Sequence, residues 1–131
     1  MRFLQRPVCI VFLSVFIVGL TWAVTTNEAW EDFYITYRAS KNLAEGKGLV
    51  FTEGERVHSF TSPLGALLPA VSYILTGRSS DQAALWIYRL MCFAALGGAA
   101  AILWRTLRGL YSSALPALLL VASIATDNKT I

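Results

Sequence analysis

The chain has 131 residues, of which 56% are hydrophobic and 15% are charged, and its formal net charge is +3. Its apolar residues fall in a few unbroken runs, which excludes an ordinary soluble domain and indicates a protein of the lipid bilayer. The basic residues are scattered and several flank apolar runs, so the charge balance argues against nucleic acid as a partner.

The first apolar run covers residues 7–24 and carries no charge. A run of this length is sufficient to cross a hydrocarbon core of roughly 30 Å. Arg2 and Arg6 precede it, which predicts a cytoplasmic N-terminus and an extracytoplasmic segment after the run. A cleaved signal peptide is the alternative. The run is long for that class and Trp22-Ala23 is a poor cleavage site, so we expect a retained anchor.

Residues 25–62 form an extended polar segment. Its acidic residues come early, its lysines late and its glycines last, which predicts a helix over about 30–44. The stretch LVFTEGERVHSF, residues 49–60, predicts a β-hairpin. Thr61-Ser62-Pro63 then has the hydroxyl cap and first-turn proline of another helix start.

The remaining apolar runs decide the topology. The run at 63–77 has about 14 apolar residues and reaches only about 21 Å, so it is too short to cross comfortably. If it nevertheless spans, Arg105 and Arg108 lie outside, against the positive-inside bias. If it is an interfacial or re-entrant helix, three spans remain and both arginines lie inside.

We therefore expect an all-α, multi-pass membrane protein with three transmembrane helices, or four if 63–77 crosses as well. The predicted transmembrane helices are 7–24, 84–104 and 111–125, and 63–77 is an interfacial or short transmembrane helix. The predicted cytoplasmic parts are the N-terminus, 1–6, and a loop, 105–110. The predicted extracytoplasmic parts are the helix-plus-hairpin loop, 25–62, and the end, 126–131.

The polar segment also holds the candidate chemistry. Glu31 and Asp32 are adjacent carboxylates that project about 100° apart on a helix, so both can border one cavity. Arg38 returns to nearly the face of Glu31, and Tyr34 and Lys41 lie beside it. These residues could activate a hydroxyl, hold a phosphate or bind a divalent metal. The alternative is a solvated interfacial helix whose acidic residues stabilise its dipole.

Arg89 lies one turn inside the predicted span at 84–104. It is predicted either to extend its charge to the headgroups or to meet a lipid phosphate on the outer side. Gly97-Gly98 and the neighbouring alanines predict a close helix-packing surface.

The polar segment resembles the first extracytoplasmic loop of bacterial polytopic glycosyltransferases of the GT-C fold, in particular arabinofuranosyltransferase-like and mannosyltransferase-like proteins. The resemblance covers about 35 residues. It rests on an ordered set of motifs: Glu31-Asp32, Tyr34, Arg38, Asn42-Leu43, Gly46, Gly48-Leu49-Val50-Phe51, Gly54-Glu55, Val57 and Thr61-Ser62-Pro63-Leu64. The sequence departs from the family pattern at Ala39, where an aromatic residue is usual, and at Thr52, where asparagine is usual.

The resemblance implies transfer of a sugar from a polyprenyl-phosphate donor to a glycan or lipid acceptor outside the membrane. It implies that Asp32 or Glu31 is the general base or a ligand of a divalent metal (Mg, Mn or Ca), with Asp127 as a further acidic ligand. Arg38, Tyr34, Lys41 and Arg89 are the expected substrate- and phosphate-binding residues. Their physical task is to stabilise the charge of the leaving phosphate.

The chain is much shorter than such enzymes, so we expect an N-terminal part of one, inactive by itself. The alternative from a different class is a small non-enzymatic membrane subunit or assembly factor, which the Gly/Ala-rich packing surface favours.

Overall fold

A computed structural model of the protein describes residues 2–29, 31–52, 54, 62–111 and 113–126, with only the backbone at 2–6, 32, 116, 120 and 124–126. The regular structure in these ranges consists of five helices: α1 (Arg2–Thr26), α2 (Glu31–Ala44), α3 (Pro63–Leu75), α4 (Asp81–Leu110) and α5 (Leu115–Thr126). The predicted all-α class is confirmed for the described residues.

Two helices of the described chain are long and apolar enough to cross a membrane, α1 over Pro7–Thr26 and α4 over its whole length. The 20 residues of the first rise about 30 Å, the thickness of a hydrocarbon core. With 13 and 12 residues, α3 and α5 rise only about 20 Å and 18 Å. Two candidate spans are thus found, and the third and fourth spans stay predictions.

The helix bounds do not coincide with the predicted segments, and the largest differences are in α1 and α4. α1 begins at Arg2, before the predicted span 7–24, and α4 extends the predicted span 84–104 at both ends. Its start is displaced to Asp81 because the Ser80 hydroxyl accepts a 3.2 Å hydrogen bond from the N–H of Ala83 and Asp81 complements the helix dipole. Residues 105–110, predicted as a loop, continue α4 because arginine and leucine favour helix there.

The chain divides into two units. The terminal unit comprises Met1–Asn27 with Leu90–Ile131, and the central unit comprises Glu28–Arg89. Each has a core of its own, so each is described separately.

The terminal unit is held together by close packing of α1 against the part of α4 that belongs to it. Val11, Val15 and Ala100 are buried there. The rings of Phe16 and Phe93 meet edge to face, with centroids 6.3 Å apart. Apolar side chains that pack at near-crystalline density supply the dispersion attraction that holds helices together in lipid, where the hydrophobic effect is weak.

The central unit packs α2 against α3 around an aromatic core. Tyr37, Ala44, Ala70, Tyr73 and Ala84 form the buried cluster, and Phe33 and Leu43 pack against it. The ring pairs have the offset or edge-to-face geometry that aromatic quadrupoles favour. The central unit therefore has a side-chain core despite the polar character of its sequence.

α3 begins where the sequence predicts. The Ser62 hydroxyl accepts a 3.3 Å hydrogen bond from the N–H of Gly65, and Pro63 occupies the first turn. The helix ends at Leu75 because the chain turns into the left-handed region at Gly77 (φ 65°) and Arg78 (φ 61°). This turn lets the Arg78 N–H donate to the carbonyl of Tyr73 over 3.1 Å.

The predicted β-hairpin at 49–60 lies largely outside the described residues. Within it, the structure describes 49–52 and 54, which form bends and a turn without a strand. The hairpin stays a prediction.

The paired glycines of α4 give a matched test of the terminal unit. A methyl group at Gly97 would lie 3.0 Å from the carbonyl oxygen of Phe12, whereas in the described structure nothing lies within 4 Å of one at Gly98. We expect Gly97→Ala to lower the free energy of unfolding by about 1–3 kcal/mol through overpacking. Gly98→Ala should raise it by up to about 1 kcal/mol through helix propensity.

Unfolding by sodium dodecyl sulfate in mixed micelles, followed by circular dichroism, measures both changes. Equal shifts for the two alanine variants would contradict the close approach of Phe12 to Gly97.

Candidate functional site

One side of α2 is exposed and carries the predicted substrate contacts. Glu31, Tyr34, Ile35 and Arg38 are all exposed, and their spacing puts them on one helical stripe, here called the exposed face of α2. The prediction that Glu31 and Arg38 share a face is confirmed. Arg38 is seven residues after Glu31, so the two lie about 10 Å apart along the helix axis, a span that a sugar ring and a phosphate group can bridge.

α2 is terminated by its glycines. Gly46 adopts a left-handed conformation with φ 82°. Its N–H donates to the carbonyl of Leu43 over 3.1 Å, and the Lys47 N–H donates to that of Asn42 over 2.9 Å. This pair of bonds is a Schellman cap, which satisfies the last carbonyls of the helix.

The chain after α2 folds back onto the helix. The Asn42 side-chain amide donates to the carbonyls of Val50 (2.8 Å) and Phe51 (3.2 Å). The ring of Phe51 lies beneath the Arg38 guanidinium, whose central carbon is 4.8 Å from the ring centroid. This cation–π contact restricts the guanidinium orientation, while its planar N–H fork remains suited to an anion.

Lys41 is turned away from the predicted phosphate role in this conformation. Its ammonium donates to both carboxylate oxygens of Asp81, at 2.8 and 3.0 Å, and lies 5.0 Å from the centroid of the Tyr73 ring. The Tyr37 hydroxyl donates to Asp81 as well, over 3.0 Å. Asp81 therefore joins α2 to the start of α4.

The surroundings of both donors favour their protonated forms. The hydrogen bond to Asp81 is the main cause that raises the pKa of Lys41 above its ordinary value. Burial, followed by the hydrogen bond to Asp81, raises the pKa of Tyr37 above its ordinary value of 10.0, at which the phenol is already a donor in the physiological range.

Arg89 is buried, with 8% of its surface exposed. One of its guanidinium nitrogens donates to the backbone carbonyl of Glu28, and the guanidinium carbon lies 4.9 Å from the centroid of the Trp86 ring. In this conformation Arg89 contacts protein groups of the central unit.

The remaining predicted acidic ligands fall mostly outside what the structure describes. The backbone of Asp32 lies in the first turn of α2, but its side chain lies outside the described residues, as does Asp127. Among the described side chains, no three carboxylate, histidine or cysteine groups converge. The predicted metal site therefore stays a prediction.

The structure thus brings together Glu31, Tyr34 and Arg38 on one face and directs Lys41 to Asp81. Sequence reasoning missed Asp81, Tyr37 and Phe51 as contributors. Asp81 follows a serine at a helix start and Phe51 belongs to a motif of the resemblance, but neither signal shows a partner, because a pairing across 40 residues depends on tertiary packing.

Comparison of the chain with protein-family models, curated proteins and solved structures finds no match.

The Asp81 network gives a stability test. We expect Asp81→Ala to lower the free energy of unfolding by about 1–3 kcal/mol, because it leaves the hydroxyl of the buried Tyr37 without its acceptor. Tyr37→Phe removes the donor and should cost about 0.5–1.5 kcal/mol. In the Tyr37→Phe background, Asp81→Ala should cost less, and chemical unfolding of the four proteins of this cycle measures the coupling.

The pH dependence separates the Lys41 contribution. A raised pKa in the folded state means that this contribution is complete below the ordinary lysine value of 10.5 and is lost as the pH rises above it. Because the pair is partly exposed, the loss should be small and should vanish in Lys41→Met. For the mutant cycle, additive changes in the free energy of unfolding for Asp81→Ala and Tyr37→Phe would rule out the hydrogen bond between the two side chains.

Proposed function

We propose that the protein is part of a glycosyltransferase of the inner membrane that transfers a sugar from a polyprenyl-phosphate donor to an extracytoplasmic glycan or lipid acceptor. The observation that carries the proposal is the exposed face of α2. It presents a carboxylate, an aromatic ring and a guanidinium in a row, at Glu31, Tyr34 and Arg38, in a segment that follows a candidate membrane span by a few residues. The resemblance of the segment to GT-C loops supports the same reading.

The proposed chemistry divides between the two ends of that face. Glu31 or its neighbour Asp32 takes the proton of an acceptor hydroxyl, which is otherwise a weak nucleophile. The hydroxyl oxygen forms a bond to the anomeric carbon as the bond from that carbon to the phosphate oxygen breaks. Arg38 stabilises the charge left on the polyprenyl phosphate. Tyr34 offers a ring, 56% exposed as a residue, against which a sugar can stack.

The proposal assigns no step to a metal. Of the three predicted ligands, only Glu31 has a described side chain. A pair of carboxylates would suit the hard cations Mg, Mn or Ca.

The proposed topology has three transmembrane helices, at α1, at α4 and at the predicted span 111–125, with a cytoplasmic N-terminus, the central unit outside and α3 in the membrane interface. Length does not separate α3 from α5, which rise about 20 Å and 18 Å. The charge bias does, because Arg105 and Arg108 lie inside only if α3 does not cross.

The second support for this topology is the distribution of side chains on α3. One side packs against α2, while the other presents a row of exposed aliphatic side chains with no charge: Leu64, Leu67, Val71, Ile74 and Leu75. A 13-residue helix with such a face is suited to lie along the lipid boundary. The packing of α1 around Phe16 and Phe93 supports a retained anchor.

The acidic pair is tested at its chromosomal locus. Glu31→Gln and Asp32→Asn are introduced singly, and transfer of label from polyprenyl-linked sugars to envelope glycans and lipids is followed in membranes of cells fed radiocarbon-labelled glucose. We expect at least one variant to reduce transfer to one product by about 10²–10⁴-fold, the range of a general base.

Glu45→Gln is the matched control. Glu45 is an exposed carboxylate just beyond the C-terminal end of α2 and pairs with Lys47 over 3.1 Å, so its loss should leave transfer unchanged. Full transfer in both acidic variants, at equal protein levels, would refute the catalytic assignment.

The topology is tested at Ser79, an exposed residue between α3 and α4. Ser79→Cys is made in a background with Cys9→Ala and Cys92→Ala and is treated with a membrane-impermeant maleimide. If α3 lies in the outer interface, intact spheroplasts should label fully at this position. Labelling only from the cytoplasmic side, in inverted vesicles, would show that α3 crosses.

A non-enzymatic membrane subunit is the second candidate. The observation that favours it is a row of small residues on the described surface of α4, at Ala94, Ala95, Gly98 and Ala99, whose spacing suits close packing with another transmembrane helix. For this candidate, both acidic variants would retain function and α4 would crosslink to a second membrane protein.

A further inference from the structure

α2 and the first nine residues of α4 contact each other in antiparallel order. Asp81 meets Tyr37 and Lys41 in the middle of α2. The Tyr88 ring stacks on that of Phe33, one turn earlier in α2, at a centroid distance of 5.4 Å. Arg89 then reaches the backbone carbonyl of Glu28, just before α2 begins. These contacts follow one another along the two helices, and the last of them, between Arg89 and Glu28, is adjacent to the acidic start of α2.

The contact with Glu28 is made by the buried guanidinium of Arg89. Removing a guanidinium from water is costly unless its N–H groups are satisfied, and a charge-assisted hydrogen bond to a carbonyl is one of the strong ways to do so. The Trp86 ring on the preceding turn of α4 adds a cation–π contact and restricts the side chain of Arg89. The observed donor is therefore held in place by its surroundings.

Fixing the carbonyl of Glu28 also fixes where α2 starts. Glu31 is the third residue after Glu28, so their Cα atoms lie at most about 10 Å apart. With Tyr88 holding Phe33 from the other side of the first turn, the backbone of the acidic pair has little freedom to move or rotate. Arg89 can thus influence the acidic pair without touching a substrate.

We propose that Arg89 is a positioning residue that orients the acidic start of α2, in place of the phosphate-binding role predicted from the sequence. Its importance for sugar transfer rests on the proposed function, whereas its hold on the helix start does not. Arg38, exposed on the same helix, is then the cation that meets the phosphate.

The experiment compares Arg89→Gln, Arg89→Lys and the matched control Arg78→Gln, an exposed cation of the same unit. Amide hydrogen exchange is measured by mass spectrometry on the full chain in lipid nanodiscs, without any added ligand. Binding of undecaprenyl phosphate, with undecaprenol as the neutral comparison, is measured on the same samples, together with Arg38→Gln.

We expect Arg89→Gln to speed exchange about tenfold or more in the peptide 28–36, at the amides of residues 35 and 36 that donate within the first turn of α2. This is the effect of losing a charge-assisted hydrogen bond, and α3 should be unaffected. Arg89→Lys, which keeps the charge and a donor, should restore most of the protection, and Arg78→Gln should match the parent. Arg38→Gln should weaken binding of undecaprenyl phosphate about tenfold with no change in exchange at residues 28–36.

Unchanged exchange at residues 28–36 in Arg89→Gln would overturn the proposal, as would a uniform increase over α2 and α3 or a failure of lysine to restore protection. If Arg89→Gln does not fold, the lysine variant still decides, because a positioning role requires near-parental protection at 28–36. Absence of specific undecaprenyl phosphate binding in the parent would count against the proposed function and leave the exchange result intact.

Discussion

The carboxylate of Asp81 is the constraint on which the central unit depends. It accepts hydrogen bonds from Tyr37 and Lys41, which lie one turn apart on α2, and so fixes that helix against the start of α4. Rotating α2 about its axis would break both bonds and expose the aromatic side that packs on α3. The orientation of the exposed face of α2 is therefore a consequence of what the adjoining side of the helix binds.

Sequence reasoning reached the helices whose ends are encoded locally. Ser62-Pro63 and the glycines after Ala44 bound their helices where expected, because caps depend on neighbouring residues alone. The predicted span 84–104 marks only the apolar part of α4, and the helix itself begins earlier, at Asp81, after the Ser80 hydroxyl. Glu31 and Arg38 were also correctly predicted to share a face of α2, because residues seven apart in a helix lie on nearly the same side.

Contacts between distant segments were not available from the sequence. Lys41 was predicted to serve a phosphate because its charge and helical position suit that role, and nothing local indicated a partner 40 residues away. Arg89 was predicted to bind phosphate because of its position in an apolar run. The acceptor observed in the structure is the backbone carbonyl of Glu28, and because every residue has such a group, no sequence pattern indicates it. For Asp32 the sequence suggests a role, and its side chain remains outside the described residues.

The engagement of Lys41 also changes how a charged ligand would be attracted. With that ammonium paired with Asp81, the remaining described side-chain charges of α2 are the carboxylate of Glu31 and the guanidinium of Arg38. They lie about as far apart as the Debye length at physiological ionic strength, roughly 8 Å, so their fields cancel and are screened within a short distance. These two described charges therefore exert little long-range pull on solutes. Under the proposed function, the polyprenyl-phosphate donor would instead reach Arg38 by diffusing in the plane of the bilayer.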